Sequence, residues 1–63
     1  MKFYAYQGTK PLGEEPLGTF GKLLFELKTV RGAHKRAKVA FSGRPYRIYT
    51  YSHFYDKSTF KQV

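Results

Sequence analysis

Lys22-Leu-Leu-Phe-Glu-Leu-Lys-Thr-Val-Arg-Gly-Ala-His-Lys-Arg-Ala-Lys-Val-Ala-Phe41 can be read as one long helix, or as a strand followed by a short helix. Leu, Glu and Lys favour the continuous helix, whereas the alternation of Leu23, Phe25 and Leu27 fits one side of a strand. Two features favour the break. Thr29 is a good N-cap for a helix beginning at Val30. Gly21 and Gly32 would each cost a helix running from about Phe20 to Phe41 about 1 kcal/mol. The preferred reading is a strand over Lys22 to Lys28 and a helix from Val30 to Phe41; the single helix remains the alternative.

Within Val30 to Phe41 the period is helical. At 100° per residue, Val30, Ala33, Ala37, Ala40 and Phe41 share the side expected to pack on a sheet. Arg31, Lys35 and Lys38 share a flank, and His34 lies between that flank and the apolar stripe. Ser42-Gly43 closes the helix, with Gly43 suited to the left-handed conformation that ends helices, and Pro45 prevents its resumption.

Upstream, Lys2 to Gln7 alternates Phe3 and Ala5 with Tyr4 and Tyr6, as a strand does. Gly8 to Gly18 contains the tandem Pro11-Leu-Gly-Glu-Glu-Pro-Leu-Gly18, two proline-opened turns each completed by a glycine, so residues 8–21 read as a Pro/Gly loop. Downstream, Arg44 to His53 places Tyr46, Ile48 and Thr50 on one side of a strand and Arg47, Tyr49, Tyr51 and His53 on the other; its β-branched and aromatic content supports that reading. A turn around Asp56-Lys57-Ser58 leads to a short last strand toward Val63. The order strand, strand, helix, strand, strand predicts a single α+β domain over residues 1–63. It would have two layers, one helix packed on a mostly antiparallel three- to four-stranded sheet.

A chain of 63 residues buries only about 60% of the surface its unfolded form exposes, so its stability margin is thin. With no cysteine to staple it, the core is expected to rest on Phe3, Phe20, Leu23, Phe25, Leu27, Val30, Phe41 and Ile48. Met1 to Gly8 lacks the apolar stretch of an export signal, and no apolar run approaches the roughly 18 residues of a membrane span. A cytoplasmic protein without cofactor or metal is expected.

Twelve Lys and Arg against four Asp and Glu give a formal charge of +8, which points to a negatively charged partner. If Phe3 and Ile48 face the helix, then Tyr4, Tyr6, Tyr49 and Tyr51, with Lys2 and Arg47, emerge on the opposite side of the sheet. Left open, that side would stack nucleic-acid bases while its cations neutralise phosphates. The same side could instead be an ordinary sheet surface, or be buried in a homodimer. The helix flank of Arg31, Lys35 and Lys38, with Arg36 and Lys28 nearby, offers a second set of phosphate contacts, or a helix able to enter a major groove.

Catalysis is not expected. His34 and His53, with Tyr55 and Asp56, supply the residue types of a small nuclease, but no motif fixes their separation. Glycines 8, 13, 18 and 21 form no phosphate loop, because no Gly-Lys-Ser/Thr follows them. The expected function is nucleic-acid binding through Lys2, Tyr4, Tyr6, Arg47, Tyr49 and Tyr51 on the sheet and Arg31, Lys35 and Lys38 on the helix. The alternative is a protein-interaction module, either a homodimer or a modulator of an acidic protein. Phe25-Glu-Leu-Lys-Thr-Val-Arg-Gly-Ala33 resembles a supersecondary element of small phage and mobile-element proteins and of DNA-binding domains with a three-stranded sheet. That resemblance identifies no family and transfers no functional residue.

Overall fold

In the computed structural model, which describes residues 1–15 and 21–63, the chain forms β1 (Lys2–Gln7), β2 (Lys22–Glu26), α1 (Val30–Ala40) and β3 (Tyr46–Tyr51). A single 3-10 turn (Lys57–Thr59) and the short β4 (Lys61–Gln62) follow. The sheet order is β2-β1-β3-β4, with every pairing antiparallel. Since β2 and β3 both run opposite to β1, they are parallel to each other. The β2–α1–β3 segment is therefore a crossover spanning the central strand. The two-layer α+β fold is the one expected.

Between β2 and α1 the chain breaks where the cap is. The Thr29 backbone is extended and its Oγ1 accepts the Gly32 N–H at 3.0 Å, satisfying one of the donors that a helix start leaves free. At the other end, the Ser42 N–H reaches the Val39 carbonyl and the Gly43 N–H reaches the Lys38 carbonyl, the paired bonds of a Schellman ending. In this ending Ser42 itself takes the left-handed position, with φ of 53°, and Gly43 follows at 77°. The sequence reading had placed that role on Gly43 alone.

The core between the layers consists of Phe3 and Ala5 from β1, Ile48 from β3, and Ala33, Ala37 and Phe41 from the helix and its C-cap. Leu23, Phe25, Leu27, Val30, Tyr46 and Val63 pack around it, partly buried. The alanines set the spacing, because their small side chains let the helix lie close over Phe3 and Ile48. Ala40, expected on the buried side, is exposed. Two expectations fall outside the described residues: the core role of Phe20, and the second half of the turn repeat, Pro16 to Gly18.

Candidate nucleic-acid interface

The strand faces are as alternation predicts, but the outer side of the sheet is not open. Tyr6 is fully buried, and Tyr4 and Tyr49 are only 6% and 7% exposed. They form a second apolar cluster with Tyr51, Leu12 and Phe60. Two segments cover them. Leu12 comes from the Pro/Gly loop after β1, and Phe60 lies just beyond the 3-10 turn near the C-terminus. Phe60 stacks on Tyr51 with ring centroids 4.9 Å apart and meets Tyr4 edge-on at 5.9 Å. The expected platform is therefore corrected to a miniature core of Tyr4, Tyr6 and Tyr49, with Tyr51 partly buried at its margin.

The hydroxyls beneath that cover are satisfied within the chain. The Tyr6 hydroxyl donates to the Lys10 carbonyl at 2.6 Å, so the Tyr49 hydroxyl, 3.4 Å away, donates to the Tyr6 oxygen. Burial first, and then its bond with Tyr49, pushes the Tyr6 phenol well above the ordinary range. The Tyr4 hydroxyl donates to Glu15 Oε1 at 3.2 Å. Burial, with the nearby Glu15 charge, raises the Tyr4 pKa from 10.0 to about 12.

Glu15 is the clasp of the covering loop, since its other oxygen accepts the Gly13 N–H. Partial burial alone would raise its pKa. The backbone N–H groups of Glu15 and Gly13, the Tyr4 hydroxyl and the nearby Lys57 outweigh this and hold the carboxyl below 4.5. A depressed carboxylate stabilises the fold above its ordinary pKa and loses that contribution as pH falls through the folded value. A raised phenol stabilises it below pH 10 and loses that contribution as pH climbs through about 12. The urea midpoint is therefore expected to fall at both extremes, and Glu15→Gln should flatten the acid limb; an acid limb unchanged by that substitution would discount the clasp.

Charge is divided between the two sides of the sheet. No Asp or Glu occurs between Glu26 and Asp56, an interval containing Lys28, Arg31, Lys35, Arg36, Lys38 and Arg44, all exposed. Glu14, Glu15 and Asp56 belong to the segments over the outer side. Glu26 pairs in register with Lys2, sharing the side of Tyr4 and Leu24. The helix layer thus carries cations without a carboxylate among them. Arg31, Lys35 and Lys38 line one shallow depression together with His34, whose Nδ1 lies 3.0 Å from the Tyr46 hydroxyl and ties the helix to β3. Arg36 leans the other way, its guanidinium 5.5 Å from the centre of the Phe25 ring.

The candidate cations fall into two groups, on opposite sides of the sheet. Arg31, Lys35 and Lys38 stand on the helix. Lys2 and Arg47 lie on the outer side with the covered tyrosines, and Arg47 donates to Gln62 Oε1 at 3.4 Å. Compared with known proteins, the chain matches no family model, no curated protein and no solved structure. Function rests on the geometry alone.

His34 and His53 are not brought together. One is bonded at the start of β3 and the other follows its end, and the strand's six residues alone separate them by about 17 Å. A shared acid–base site requires hydrogen-bond reach to one substrate atom. Among the described residues, no cluster of His, Asp and Glu could hold a metal, and no helix is long and apolar enough to cross a membrane. Tyr55, which the sequence suggested only as a companion of the two histidines, is 98% exposed beside Phe54. It stands just before Asp56, the N-cap of the 3-10 turn.

Proposed function

We propose that the protein binds nucleic acid through the cations of its helix layer. The observation that carries this reading is the exposed row Arg31, Lys35 and Lys38 on a surface without carboxylates. From Arg31 to Lys38 the helix rises about 10 Å, the axial length over which one strand of duplex presents roughly three phosphates. An acidic protein would meet the same cations, but that regular spacing favours a backbone of evenly repeated charge.

With Tyr4, Tyr6 and Tyr49 covered, base stacking is not available to them. Single strands are therefore expected to gain nothing from the sheet tyrosines, and phosphate contacts alone give recognition that depends little on sequence. The test is a titration of single-stranded and duplex oligonucleotides at two salt concentrations. Binding tighter than about 10⁻⁴ M at low salt, weakening steeply as salt rises, is the expected result. Affinity no better than that at low salt ends the proposal.

A further inference from the structure

Among the described residues, the outer edge of β2 is unpaired, and its hydrogen-bonding parity can be read from the strand ends. Met1 and Leu27 exchange backbone bonds, 2.9 Å from the Met1 ammonium to the Leu27 carbonyl and 3.1 Å in return, and the Gln7 N–H reaches the Gly21 carbonyl at 2.8 Å. In an antiparallel ladder such pairs recur every second residue, so Leu23 and Phe25 turn their backbone groups toward β1. Lys22, Leu24 and Glu26 turn theirs outward.

We infer that this edge joins the β2 edge of a second copy of the chain, antiparallel and centred on Leu24. In that register Leu24 lies opposite itself, and Lys22 lies opposite Glu26 of the second copy, twice by symmetry. All of these pairs present outward N–H and C=O groups, so each can exchange both ladder bonds. Edge strands ordinarily resist pairing by carrying like charges. Here the two charges are opposite and equidistant from the centre, so self-pairing brings attraction rather than repulsion.

The apolar pattern agrees. Leu24 is 55% exposed and would cover its own copy, while Leu23 would meet Phe25 of the second copy on the helix side. That side already holds an open groove between β2 and α1, lined by Leu23, Leu27 and Val39, the last 76% exposed, and bordered by Lys35 and Arg36. The two-fold axis stands perpendicular to the sheet, so both helices lie on one side of a continuous sheet of twice the width. The pairing edge itself is separate from Arg31 and Lys38, Lys35 alone lining both the groove and the cationic flank, and the inference does not depend on nucleic-acid binding.

Sedimentation equilibrium at about 0.15 M salt, with protein raised to about 1 mM, tests it without any ligand. The wild type is expected to move from monomer toward dimer. Leu24→Pro removes an outward N–H that the fold does not use, and should remain monomeric with an unchanged circular dichroism spectrum. Lys22→Glu sets carboxylates against Glu26 and should also give monomer; adding Glu26→Lys should restore the dimer. A wild type that stays monomeric over the whole range overturns the inference, as does a dimer that survives in folded Leu24→Pro.

Discussion

Tyr6→Ala is expected to remove about 3–5 kcal/mol of unfolding free energy, the largest loss from any single substitution on the outer side of the sheet. Tyr6 is among the largest fully buried side chains, and truncating a buried aromatic costs about 3–5 kcal/mol. The substitution also strips the Lys10 carbonyl and the Tyr49 hydroxyl of their shared partner. A domain of this length is stable by only about 3–9 kcal/mol, so the loss consumes a large part of the total. Tyr6→Phe keeps the ring and loses only the hydroxyl's bonds, a cost of about 1–3 kcal/mol. Urea unfolding of the two variants separates a core residue from a surface one. A Tyr6→Ala variant within about 0.5 kcal/mol of wild type would mean that the outer side of the sheet is open after all.

The second large effect is expected on binding without a matching effect on folding. Changing Arg31, Lys35 and Lys38 together to glutamine retains helix propensity and removes like-charge neighbours at i, i+4 and i, i+3, so stability should hold or rise by a few tenths of a kcal/mol. Each lost phosphate contact flattens the plot of log K against log salt by about 0.9, so the triple variant should lose about 2.7 of its slope. At 0.15 M salt this corresponds to a loss of affinity on the order of 10²-fold. Glutamine at Lys2 and Arg47, on the opposite side of the sheet, should change binding far less. Should that pair abolish binding while the triple variant binds normally, the interface is on the wrong side of the molecule.

Much of the fold could be read locally. The break at Thr29 follows from a hydroxyl able to cap, whereas Gly32 lies within α1 and costs the short helix as much as a longer one. The faces of β1 and β3 follow from side chains alternating along the strand, which is why Phe3 and Ile48 were correctly turned toward the helix. The grouping of Arg31, Lys35 and Lys38 follows equally from the helical repeat, and so does the boundary position of His34.

Only the tertiary structure decided which side of the sheet meets solvent. Tyr4, Tyr6 and Tyr49 have the alternation of an exposed strand side, and nothing within their own strands reveals a cover. The residues that close over them, Leu12 and Phe60, are single apolar side chains in segments without period, and they reach the sheet through contacts distant in sequence. A local pattern records which residues share a side; burial depends on what the rest of the chain places upon that side, so the aromatic half of the expected site became core while its cationic half stayed on the surface.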